Sequence, residues 1–271
     1  MKYTHSIICP THGPLIDLTE HSYYLSRFFA CENPSHDNYI YYWFQIASGI
    51  ISIEYQSDRY DDSVFQCRPT MEYEEEKSKF HSKLIKALTT FNFIWGGFEA
   101  FLNSVNIPEC PYQGGKINDA SFWLLKNYDP DNVPLRYYPQ VVEYLKGLIV
   151  KNSWYGDPKV LFKKKNCEGA SAEGISIVYK IRNKLAHGDF QFSEPEEWNS
   201  EKPLDLPIIN SASRIVLLTT QMMLSTFHQN SEFLIDVYHN EMEEEEEGVL
   251  ANIFLKTIHM KTDSVNGNDK L

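Results

Sequence analysis

Arg182 and His187, with four residues between them in the stretch IVYKIRNKLAHGDF, are a compact pair of side chains suited to phosphate chemistry. An arginine stays cationic at any cellular pH and can grip a phosphate through two parallel hydrogen bonds. A histidine exchanges its proton most readily near neutral pH. Together they could hold a phosphodiester, neutralise charge developing on it and move a proton. Asn183 adds an amide that could bond a phosphate oxygen or steady the imidazole. The same residues also read as an ordinary helix ending, with basic residues in the last turn and Gly188 just beyond. On spacing alone, both readings stand.

Position on the helix constrains how the pair could act. The pattern predicts a helix over 170–187, with Gly174, Ile177, Val178, Ile181 and Leu185 forming the stripe that faces a core. His187 falls on the far side, with Asn183 one turn beneath it. Arg182 lies at the edge of the stripe, about 140° around the axis from His187. The two therefore share no face of a regular helix. They could converge through the reach of the arginine, through fraying at Gly188, or by meeting their counterparts in a second chain. A longer apolar pattern, Phe80, Leu84, Leu88, Phe91, Trp95, Phe98 and Leu102, predicts a central helix over 74–105. Glu99 sits on it, one turn after Trp95. A carboxylate among aromatics is costly without a partner. It reads either as a support for Arg182 or His187 or as a residue at the helix rim. Gly96-Gly97 weakens the helix, which predicts a close approach by another element.

The motif RNKLAHG at Arg182–Gly188, with the aromatic stretch FIWGGFEAFL, resembles the HEPN superfamily, in particular its abortive-infection-type (Apea-like) ribonucleases. The resemblance implies a helical bundle and a homodimer whose two motifs line one cleft. It also implies a metal-independent endoribonuclease, needing no cofactor for catalysis, with Arg182, Asn183 and His187 as catalytic residues. Cleavage through the 2′-hydroxyl would leave a 2′,3′-cyclic phosphate. A role as a toxin or in antiviral defence, with an antitoxin or regulatory partner, is part of the same implication. The alternative is a catalytically silent HEPN-like module that binds RNA, a nucleotide or a protein.

Composition sets limits on these expectations. The chain has 271 residues, 42 % hydrophobic and 14 % aromatic, enough for a sizeable core. Its net charge of −12 argues against non-specific nucleic-acid binding. Much of that charge is local, at Glu72 with Glu74–Glu76 and at Glu241 with Glu243–Glu247. Lys163, Lys164 and Lys165 form a basic run before the motif helix, either an RNA-contacting loop or a solvated surface. No run of apolar residues is long enough for a membrane span, and the first residues lack the pattern of a signal peptide, so a cytoplasmic protein is expected. Five cysteines, at 9, 31, 67, 110 and 167, do not suggest a disulfide framework. Cys9, His12, Cys31 and His36 form two pairs that could hold a structural zinc, though their order departs from the usual pattern and His5 and His21 lie nearby.

The expected fold class is α+β, a mainly α-helical bundle with a smaller β-rich N-terminal region. Residues 1–72 read as that β-rich region, through SIICP, SVFQC and a hairpin in YIYYWFQIASGIISIEYQ that turns at Ser48-Gly49. Residues 73–230 carry the bundle, with further helices at 119–128, 138–152 and 207–229. Asn118-Asp119 marks one helix start and Pro139 another. The polar stretch after His187 is long enough to act as a lid. Residues 231–271 form an extension with two strand candidates, FLIDVY and VLANIFLKTI, an acidic run between them and a tail of disordered composition. Phosphate-loop, dinucleotide, nucleophile-elbow and metalloprotease signatures are all absent from the sequence.

Overall fold

The computed structural model describes residues 13–32, 39–61, 67–152, 157–166, 168–189, 192–195, 203–236 and 248–261. Helix α1 spans Leu18–Glu32, α2 Ile40–Gly49, α3 Arg68–Ser104, α4 Lys116–Asn127 and α5 Tyr138–Lys151. A single turn, α6 (Pro158–Leu161), precedes α7 (Ala170–Ala186) and α8 (Asp205–Phe227). Two short strands, β1 (Leu234–Ile235) and β2 (Val249–Leu250), pair antiparallel before α9 (Ala251–Thr257). Among the described residues, no helix is long and apolar enough to cross a membrane.

The architecture is α-rich, and the helix positions expected from residue 74 to 229 match the observed ones closely. The N-terminal region does not follow the expectation. Its β-hairpin is replaced by α2, which covers the turn placed at Ser48-Gly49. Tertiary packing overrides the β preference of its aromatics. As a helix, α2 buries Phe44 and Ala47 and lays Trp43 and Phe44 over Gly96 and Gly97 of α3. A Cβ at those glycines would stand 2.6 Å from Trp43 and 2.8 Å from Phe44, so the close approach expected there is real. The stretch after α2 finds its partners on α3 instead of on a second strand. The Tyr55 N–H donates to Ser82 Oγ, and the Ser57 N–H donates to Ser78 Oγ, both at 3.0 Å. SIICP, most of SVFQC, the acidic run 241–247 and the tail 262–271 lie outside the described residues. Of the C-terminal strand candidates, each keeps two residues in the β1–β2 ladder, and the rest of VLANIFLKTI is mainly α9. Helix α4 begins at Lys116, earlier than expected, and Asp119 accepts the Cys110 N–H at 2.7 Å from within it.

Helix α8 is the centre of the molecule, packed by α1, α3, α5, α7 and α9. Every residue from Ser211 to Ser225 is buried. Its polar positions tolerate this because small hydroxyls return to the helix: Ser213, Thr219 and Thr220 each donate to the carbonyl four residues back. The larger polar groups form a chain across the core. Arg214 Nη1 donates to His21 Nδ1 at 2.9 Å, which leaves the His21 Nε2–H to donate to Gln221 Oε1, also at 2.9 Å. Gln221 Nε2 donates to the Leu255 carbonyl and to His259 Nδ1, and His259 Nε2–H donates to the Arg136 carbonyl at 3.1 Å. Each tautomer is fixed by its neighbours.

Burial, reinforced by the Arg214 charge, pushes the His21 pKa well below the ordinary imidazole value and His259 down to about 3. Both rings are thus neutral in the fold and take up a proton on unfolding in mild acid. Stability is fully present above the unfolded-state pKa near 6.5 and declines as pH falls from there toward the folded-state values. The expected loss is about 1.4 kcal/mol per pH unit for each ring. Urea unfolding at neutral pH and in mild acid would measure it, and an unchanged midpoint would contradict buried neutral imidazoles.

Candidate functional site

The expected motif sits at the C-terminal end of α7, whose inner face buries Ala172, Gly174, Ile175, Ile177, Val178 and Ile181. Gly174 is the crossing point: a Cβ there would meet Tyr138, Val142 and Ile215 at 2.8–2.9 Å. The helix therefore seats closely on α5 and α8, which fixes the direction in which its end projects.

That end is a Schellman turn. The Gly188 N–H donates to the Leu185 carbonyl at 3.3 Å, and the Asp189 N–H donates to the Lys184 carbonyl at 3.0 Å. Gly188 adopts φ +74°, a left-handed conformation that glycine takes without a Cβ penalty. His187 is the last residue before this turn, and its backbone N–H is satisfied by the Asn183 carbonyl at 3.0 Å. Its side chain is exposed. The helix-ending reading of the motif is thus correct locally. It leaves the imidazole exposed at the negative end of the helix dipole.

Arg182 is oriented differently. It is half-buried, and its guanidinium lies over the Trp95 ring at 6.0 Å from the centroid. Trp95 stacks at 18° on Tyr179, one turn before Arg182 on α7, with 6.2 Å between ring centroids. The cation therefore sits over Trp95 of α3, whose ring in turn packs on Tyr179 of α7. The Trp95 indole N–H is buried without a hydrogen-bond partner among the described residues. Neither Trp95 nor Tyr179 was singled out from the sequence as part of the site. The signal was present, since Tyr179 and Arg182 are three residues apart on α7 and so neighbours on its surface.

The other expected site residues are distributed. Glu99 is half-buried on α3 one turn beyond Trp95, and no hydrogen bond or ion pair joins it to Arg182 or His187 among the described residues. Asn183 lies half-buried beneath His187, as its spacing required. Lys163, Lys164 and Lys165 precede the opposite end of α7, about 25 Å from the motif within one chain. Lys164 pairs with Glu173 at 3.7 Å and Lys165 donates to Asn118 at 2.9 Å, while Lys163 is exposed. In the stretch after the motif, Phe192–Pro195 lies against α3, where His81 bonds the Ser193 carbonyl at 3.4 Å and the Tyr73 hydroxyl donates to Glu194. Of the expected zinc ligands, Cys9, His12 and His36 fall outside the described residues, and Cys31 is a half-buried free cysteine on α1. Among the described residues, no cluster of three or more His, Cys, Asp or Glu could hold a metal.

Comparison with protein-family models, curated proteins and solved structures gives no significant match for this chain.

Proposed function

We propose that this chain is a metal-independent endoribonuclease of the HEPN type, with Arg182 and His187 as its catalytic residues. The observation that carries the reading is an exposed imidazole at a helix terminus, five residues after an arginine that lies over the Trp95 ring. Arg182 and His187 differ in direction and burial within one protomer. Two copies brought together at the ends of their α7 helices would place both groups around one phosphodiester.

The chemistry is then self-contained, because RNA carries its own nucleophile in the 2′-hydroxyl. One His187 removes the 2′-hydroxyl proton as the 2′-oxygen attacks phosphorus. The bond from phosphorus to the 5′-oxygen breaks, and the protonated His187 of the second copy supplies the proton to that leaving oxygen. The products are a 2′,3′-cyclic phosphate and a 5′-hydroxyl. Arg182 compensates the charge that builds on the non-bridging oxygens, and Asn183 orients a phosphate oxygen or the imidazole. The acidity of the whole molecule favours a structured or specific RNA over any strand. A toxin or antiviral-defence role under an antitoxin or other regulator belongs to this proposal, as does a cytoplasmic site of action.

Labelled RNA incubated with the purified chain in EDTA tests the reading. Cleavage giving cyclic phosphate ends supports it. Binding without cleavage would instead favour a silent RNA-binding module, and cleavage that requires added metal would overturn the mechanism.

A further inference from the structure

A cavity of about 520 Å³ opens between the start of α1, the middle of α3, the first turns of α8 and Tyr144 of α5. Its walls are chemically divided. Leu15, Ile16, Leu18, Ala87, Leu206 and Pro207 form an apolar lining, while Lys83, Lys86 and Arg214 bring three cations against one carboxylate, Asp17. Neither lysine has an ion-pair partner among the described residues. Arg214 is 7 % exposed, and burial brings its pKa only down to about 10, so it remains cationic at neutral pH. Asp17 is already engaged, accepting from Thr19 Oγ1 at 2.6 Å and from the Glu20 N–H at 2.9 Å, where it caps α1.

One further residue points to a ligand site. Thr90 is 5 % exposed, lines the cavity, and its hydroxyl has no hydrogen-bond partner among the described residues. Thr219 and Thr220, buried in α8, avoid this cost by donating to carbonyls four residues back, whereas Thr90 does not. A buried hydroxyl left unmet is unfavourable unless something else bonds it. The adjacent first turn of α8 contributes the positive end of a long helix dipole.

We propose that this cavity binds a small organic anion, with its phosphate or carboxylate head between Lys83, Lys86, Thr90 and Arg214 and its apolar body against the aliphatic wall. The volume accommodates a molecule of roughly metabolite size. The site is separate from the motif on α7, and the proposal holds whether or not the chain cuts RNA.

Calorimetric titration of the full chain with phenyl phosphate, benzoate, inorganic phosphate and benzyl alcohol tests it. At least one of the first two binds, and inorganic phosphate and benzyl alcohol each bind about tenfold more weakly, for want of the body and of the charge. The double substitution Lys83→Ala/Lys86→Ala, at one exposed and one half-buried position, keeps the melting temperature and weakens binding about tenfold or more. Thr90→Val weakens it about threefold. Failure of both phenyl phosphate and benzoate to bind at about 10 mM overturns the proposal, and so does undiminished affinity in the double-lysine variant. Equal binding of benzyl alcohol would also overturn it, by showing an apolar site indifferent to charge.

Discussion

RNA cleavage should fall at least about a thousandfold in His187→Ala, with no measurable change in thermal stability. A positioned general acid or base contributes about 10²–10⁴ to rate, and a pair of copies sharing the roles of base and acid loses both at once. The fold does not depend on the side chain. The turn at the end of α7 is held by backbone bonds from His187, Gly188 and Asp189, all of which survive truncation to alanine. Arg182→Ala should cost about 10²–10³ in rate, the loss seen when one preorganised charge is removed from a transition state. It also forfeits contact with Trp95, so a destabilisation of about 0.5–1 kcal/mol accompanies it. Arg182→Lys retains the charge but loses the planar fork, and activity between the two is expected. Single-turnover cleavage of labelled RNA in EDTA, alongside melting curves, separates chemistry from folding. Retained cleavage in both alanine variants would end the nuclease reading.

Gln221→Leu should destabilise the fold by about 3 kcal/mol or more. The leucine fits the volume, but the amide joins two neutral rings that have no other partner at those atoms. Without it, the His21 Nε2–H loses its acceptor and His259 Nδ1 loses its donor, both wholly buried. The Leu255 carbonyl keeps only a 3.5 Å contact from Ser225. Denaturant unfolding of Gln221→Leu, His259→Phe and the double variant gives the check. Because both singles break the same bond, the double variant should cost clearly less than the sum of the two. Strict additivity would mean that the polar chain is not a connected unit.

Most helices from α3 onward were legible because their apolar residues recur at helical spacing and their ends carry recognisable punctuation, such as Pro139 at the start of α5 and Gly188 after α7. Helix α2 was not legible. Its Ile, Tyr, Trp and Phe residues favour strands locally, and only the glycine pair on α3, more than forty residues later, makes a helix the better solution. The central position of α8 was also hidden. Its serines and threonines carry no mark of burial in the sequence, yet their hydroxyls bond within the helix and allow burial all round. Spacing alone correctly put Arg182 and His187 on different faces. It could not supply the Trp95–Tyr179 stack, which depends on two helices meeting in space. The cavity left a fainter trace, the lone Arg214 within a helix otherwise free of charge from Leu206 onward.

The last described segment is stitched to the earliest described one. Leu15 bridges Met260, the Ile16 N–H donates to the His259 carbonyl at 3.1 Å, and the Lys261 N–H donates to the Pro14 carbonyl at 2.8 Å. On the ribosome, α8 therefore emerges with one flank uncovered and with the hydrogen-bonding capacity of Gln221 half used. The nascent protein can settle into its final arrangement only once residues 251–261 clear the exit tunnel. Until then, the face of α8 that carries Gln221 and Ser225 is a surface for chaperones to shield.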